Sequence, residues 1–235
     1  MRTVLIALSL LLCSVTSALA QVSIGIAVPG VSIGFNVPAY PRLVPVPGYP
    51  VYYAPSLGAN YFFYDGMYWV YQYDNWYASS WYNGPWEIVS PDYVPLVILR
   101  VPVRYYRRPP VYFRGWALNA APRWGEHWGR SWEEKHGGWD RRDRRAVPAR
   151  APLPTYQRQY SGNRYPQAPQ QRSLESRNYR YQPRDPVVRQ RYETQRGRPG
   201  PDAAPPRGRA PDQNRDRSSG PGQGRGPERG HDRGN

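Results

Sequence analysis

Hydrophobic and polar positions change their period several times along this chain, and each change predicts a new element. Residues 4–12 form an apolar run broken only by Ser9, behind Arg2 and ahead of Ala18-Leu19-Ala20. That pattern predicts a signal peptide over 1–20, cut after Ala20. The run is shorter than the roughly 18 apolar residues of a spanning helix, and no later run is long enough, so no transmembrane helix is expected in the mature chain. Next, VSIGIAVP and VSIGFNVP repeat one alternating pattern, with Val22, Ile24, Ile26 and Val28 on one strand face and Pro29 and Pro38 ending each copy. A strand pair explains this better than an interaction arm. Pro41, Pro45, Pro47, Pro50 and Pro55 then favour extended, polyproline-type backbone. Residues 21–60 thus read as a strand repeat followed by a proline-rich segment.

From Tyr61 the period settles at two and the apolar positions become rings. Asp65-Gly66 predicts a two-residue type I′ turn, pairing Tyr64 with Met67, Phe63 with Tyr68, Phe62 with Trp69 and Tyr61 with Val70. One face carries Phe62, Tyr64, Met67 and Trp69; the other carries Tyr61, Phe63, Tyr68 and Val70. Asp74-Asn75 and Asn83-Gly84-Pro85 predict the next two turns, making 61–115 an aromatic antiparallel β-meander. The fold class expected is mainly β: this meander with proline-rich flanks, one short helix and a long disordered basic tail. A thin sheet has little area for an aliphatic core, and each ring can bury about 150–250 Å². With rings on both faces, the flanking segments or a partner must cover the second one. Residues 96–101, the most aliphatic run of the mature chain, lie between Pro95 and Pro102 and are expected to be its most buried segment, as an edge or broken strand.

In 116–140, Trp124, Trp128 and Trp132 recur every four residues and Trp139 follows seven later. That spacing predicts a short amphipathic helix over about 123–136, weakened by Gly125 and Gly129. Docking on the meander is the plainer use of this stripe. The functional use is a ring platform for a sugar or a membrane interface.

Charge sharpens the picture. The chain carries +15. Residues 21–99 hold Arg42 against Asp65, Asp74, Glu87 and Asp92, a balance of −3, so nearly all the positive charge follows residue 100. Lys135 is the sole lysine, and arginine is the side chain suited to phosphate and carboxylate. From 141 aliphatic residues give way to Arg, Pro, Gly and Gln, with tyrosines at 156, 160, 165, 179, 181 and 192. Such a segment buries too little apolar surface to offset an ordering entropy of about 1–2 kcal/mol per residue, so 141–235 reads as a disordered basic tail. The candidate partner contacts are Trp116, Trp124, Trp128, Trp132 and Trp139, with Arg141, Arg142, Arg144 and Arg145.

Catalytic chemistry is poorly supplied. Cys13, the only cysteine, falls in the leader, which excludes disulfides and thiolate sites from the mature chain. No histidine lies between 21 and 115, Asp65 and Asp74 are taken up by turns, and no nucleotide-binding or metalloprotease motif occurs. His127 and His136 stand nine apart, which does not place them on one helix face as metal ligands. No catalytic residue, metal or cofactor is expected.

The motifs YFFYDG.YWV, NWYASSWYNGPW, VP..ILRVPVRYYR.PP.YFRGW and PRWGEHWG..W, in that order across about 22–182, resemble a family of uncharacterised proline- and tyrosine-rich exported proteins of Gram-negative bacteria. The resemblance implies an envelope protein, periplasmic or at the cell surface, and transfers no site residues. The expected function is non-enzymatic: an interaction or structural module whose basic tail meets anionic lipid or polysaccharide. A glycan-binding module using exposed Trp and Tyr, and an extracytoplasmic nucleic-acid binder, are the alternatives.

Overall fold

Asp65 and Gly66 both adopt left-handed backbone, with φ of 51° and 93°, as a type I′ turn requires. They join β3 (Asn60–Tyr64) to β4 (Met67–Gln72) in the register the sequence predicts, Tyr64 opposite Met67 through Tyr61 opposite Val70. In this computed structural model, which describes residues 34, 36–141 and 147–197, that hairpin is the centre of a six-stranded antiparallel sheet. β1 (Val44–Pro45) and β2 (Val51–Tyr53) precede it, and β5 (Asn75–Ser79) and β6 (Glu87–Val89) follow, each strand pairing with its neighbour in sequence. The signal peptide, its Ala20 cleavage point, most of the VSIG repeat, Arg142, Arg144, Arg145 and residues 198–235 lie outside the described residues.

The antiparallel meander is present, but its second turn is Tyr73-Asp74 rather than Asp74-Asn75, the proline-rich segment adds β1 and β2 to the sheet, and the β description covers only part of the fold. Helical residues outnumber strand residues, in five α-helices and several 3-10 turns. The aliphatic run supplies α1 (Leu96–Leu99), a helical turn rather than a strand. Pro95 precedes the helix and Pro102 follows its end, so both prolines act as punctuation and not as interruptions of a ladder. Nor is this run the most buried: Leu96, Val97 and Arg100 are half-exposed, whereas residues 59–71 are buried throughout. The tryptophan stripe forms two short helices, α2 (Trp124–Trp128) and α3 (Arg130–Lys135), separated at Gly129 with φ of 86°.

The largest departure concerns the basic segment. Residues 147–197 are folded, with two 3-10 turns followed by α4 (Ala168–Asn178) and α5 (Pro186–Gly197). Composition averages away what orders this stretch: its tyrosines and glutamines have docking partners on the sheet. Phe62, Tyr64, Met67, Trp69, Tyr71 and Trp76 form one face and pack under α1, α2, α3 and α5, through Ile98, Leu99, Trp124, Trp132, Val188 and Tyr192. Tyr61, Phe63, Tyr68, Val70 and Tyr77 form the other face, closed by Val37, Tyr40 and Leu43 from one side and by Ala151, Leu153, Tyr165 and Tyr181 from the other. The second aromatic face is therefore covered by the chain's own flanks.

Polar anchors fix that cover. Gln157 is fully buried; its Oε1 accepts from Tyr68 Oη (3.0 Å) and from the Tyr82 amide (3.2 Å), and its Nε2 donates to the Ser80 carbonyl (2.9 Å). At the β3–β4 turn, buried Asp65 accepts from Tyr181 Oη (2.6 Å) and from the amides of Arg184 and Asp185 (2.8 Å each). The turn aspartate that starts the hairpin thus also holds the entry to α5. Asp185 begins that helix, its Oδ1 accepting from the Val187 amide at 2.9 Å.

Candidate functional site

The sequence-predicted tryptophans are core residues. Trp124 is fully buried, its Nε1 donates to the Leu99 carbonyl at 3.0 Å, and its ring meets Tyr71 and Trp76 edge-on. Trp128 stacks on Trp124 at 4.5 Å, Trp132 meets Trp128 at 4.9 Å, and Trp139 meets Trp132 at 5.6 Å. Trp116, half-buried, stacks on Phe113 at 4.5 Å. The stripe docks the helices on the sheet and leaves no row of free ring faces. These contacts are those of the docking use of the stripe, in which Trp124, Trp128, Trp132 and Trp139 pack on one another.

Of the four predicted arginines, Arg141 is described and is exposed. The cations that sequence analysis merged into a tail have defined positions. Arg150, Arg158, Arg164, Arg177, Arg180, Arg184 and Arg189 all face solvent on the folded segment. Its three acids are placed otherwise: Glu175 is buried, Asp185 is half-buried, and only Glu193 is exposed. Burial pushes the Glu175 carboxyl up. Tyrosines 156, 160, 165, 179, 181 and 192 are buried or half-buried. The segment thus turns its rings inward and seven of its ten arginines outward, while Arg172, Arg191 and Arg196 are half-buried. Arg158 also reaches across to Arg42, brought from 116 residues earlier in the chain. Together with Tyr40, Leu43, Leu153 and Ser161 they line a cleft of about 420 Å³ with no acidic residue in its wall. The Arg158 guanidinium lies over the Tyr40 ring, 5.5 Å from its centroid.

A second polar cluster unites residues that were read separately. Asp74 Oδ1 accepts from Tyr71 Oη at 2.5 Å, from Tyr112 Oη at 2.9 Å and from His127 Nε2 at 2.7 Å. A carboxylate only accepts, so Nε2 carries the proton. His127 stacks on Tyr112, their ring centroids 4.0 Å apart and their planes 8° from parallel. The three donors outweigh desolvation and hold the Asp74 carboxyl below its usual range. Asp74 therefore does more than form a turn: it joins His127 and Tyr112 to the sheet. The signal available in the sequence was weak: a tyrosine at 73 where a turn prefers Asn or Gly.

His136 stacks on Trp132 at 4.3 Å, away from this cluster. Among the described residues no three His, Cys, Asp or Glu side chains are grouped to hold a metal, and no helix is long and apolar enough to cross a membrane. Comparison of the chain with protein-family models, curated proteins and solved structures gives no match.

Proposed function

We propose that this is an exported, non-enzymatic protein of the bacterial envelope whose arginine-rich segment associates with anionic surface material. The observation that carries the reading is the sorting of side chains in 147–197: seven of ten arginines are exposed, against one of three acids, Glu193. A composition-driven tail would show no such sorting. A guanidinium near an anionic lipid surface contributes about 1 kcal/mol, so seven acting together would hold the protein there at moderate ionic strength.

The two alternatives have less support. Sugar stacking needs free ring faces, and the tryptophans are packed on one another. Single-stranded nucleic acid is held by arginines interleaved with exposed aromatic rings, whereas the tyrosines of this segment are turned into the protein.

Co-sedimentation of the full chain with vesicles of phosphatidylglycerol in phosphatidylcholine tests the reading. Binding should weaken steeply as salt rises, because the interaction is screened within a Debye length of about 8–10 Å. Replacing Arg158, Arg164, Arg177 and Arg180 together by glutamine should lower affinity by roughly a factor of five per residue. Retention that ignores both salt and these substitutions would remove the proposal. Sequencing the N-terminus of the protein from fractionated cells tests export and cleavage after Ala20.

A further inference from the structure

The β4–β5 turn combines strain with exposure. Tyr73 and Asp74 adopt left-handed backbone in succession, with φ of 48° and 61°, and neither is glycine. A tyrosine there is unfavourable, and packing does not explain it, since its side chain is 77% exposed. The ring instead forms one wall of a cavity of about 250 Å³, with Tyr71, Asp74, Asn60, Arg108 and Pro110 among the other walls.

Two residues of opposite charge line this space, Asp74 and Arg108. Asp74 uses Oδ1 for all three of its donors, and among the described residues Oδ2 takes no hydrogen bond. Arg108 has its backbone clamped to the sheet by buried Asn60, whose Oδ1 accepts from the Arg108 amide (2.8 Å) and whose Nδ2 donates to the Arg108 carbonyl (2.7 Å) and the Tyr71 carbonyl (3.1 Å). Its guanidinium rests beside Gly58, one residue from the cavity wall at Ala59, and forms no ion pair among the described residues. A carboxylate with a spare oxygen and an unpaired guanidinium thus share one small cavity with rings and a proline between them.

We propose that this cavity binds a small zwitterion, a free amino acid or a molecule of that kind. Its carboxylate pairs with Arg108, its ammonium with Asp74 Oδ2, and its side chain lies against Tyr71, Tyr73 and Pro110. The volume lies just below the ~300 Å³ at which ordinary small-molecule pockets begin, which suits such a ligand. Opposite charges in fixed places recognise both ends at once, and two-ended recognition is what separates this ligand from simple acids or amines. The site is independent of the cationic surface of 147–197.

Phenylalanine, 3-phenylpropionate and phenethylamine share one body and differ in charged ends, so they serve as probes, titrated into the full chain and followed by protein amide chemical shifts. Phenylalanine should bind at least about tenfold more tightly than either half, the worth of one hydrogen bond to a charged group. Arg108→Gln should bring phenylalanine down to the affinity of phenethylamine while leaving phenethylamine unchanged. Asp74→Asn should bring it down to that of phenylpropionate. Arg108 is exposed, so its variant keeps the fold even if Asp74→Asn loosens α2, and circular dichroism checks both. Equal affinities for the three probes, an unchanged phenylalanine affinity in folded Arg108→Gln, or no shift for any probe at about 10 mM would overturn the proposal.

Discussion

Raising the pH past 10 should unfold this protein through its tyrosines. Tyr61, Tyr68 and Tyr106 lie fully inside the two sheet faces, where desolvation pushes each phenol well above its ordinary value. Tyr61 Oη donates to the Tyr82 carbonyl at 2.6 Å and Tyr68 Oη to Gln157, bonds that ionisation would destroy. The folded state therefore keeps protons that the unfolded chain releases near pH 10. The stability these groups contribute is intact below that pH and falls as pH rises, because the folded state binds more protons. With a free-phenol pKa of about 10, each non-ionising tyrosine costs about 1.4 kcal/mol at pH 11 and about 2.7 kcal/mol at pH 12. Three together remove about 4 and then about 8 kcal/mol, against a typical total of about 5–15 kcal/mol. Loss of near-ultraviolet circular dichroism should begin near pH 11 and coincide with a late, steep rise in phenolate absorbance. If every tyrosine titrates near pH 10 while the dichroism is unchanged, the two-faced aromatic core is wrong.

Other expectations follow from single positions and are read in urea melts unless stated. Gln157→Ala should cost about 3 kcal/mol, since it strands the Tyr68 hydroxyl and the Tyr82 amide inside the second face. Gly66→Ala should cost about 1–2 kcal/mol, because φ of 93° suits only glycine and a Cβ would meet Tyr181 at 3.3 Å. Tyr73→Gly should do the reverse and stabilise by about 1 kcal/mol by relieving the strained turn, while weakening phenylalanine binding in the same titration described above. A chain ending at residue 146 should aggregate on purification, because it bares the face that Ala151, Leu153, Tyr165 and Tyr181 cover.

The central hairpin was legible because Asp65-Gly66 and the two-residue period agree with each other and with the final register. The next turn slipped by one residue, from Asp74-Asn75 to Tyr73-Asp74, because a tyrosine in left-handed backbone contradicts propensity. Residues 96–101 form a short apolar run, and such a run cannot be told as strand or helix from its pattern alone. Reading 147–197 as disordered failed for a different reason. The stability of that segment lies in matched partners, Gln157 under Tyr68 and Tyr181 on Asp65, and composition contains no information about partners. The Asp74–Arg108 cavity was invisible for the same cause: its walls come from strands, a proline-rich exit and a turn that are distant in sequence.

That the second face of the sheet is closed by residues 147–197 sets an order on biosynthesis. All six strands have been made by Val89, yet the last residue of that lid, Tyr181, comes only after α4. At about 5–20 residues per second, the intervening stretch of roughly a hundred residues keeps the ribosome occupied for something like ten seconds. Throughout that interval Phe63, Tyr68 and Val70 have no lid from downstream. Shielding of the nascent chain by a holdase, rather than intrinsic folding speed, then governs how much of it reaches the native state.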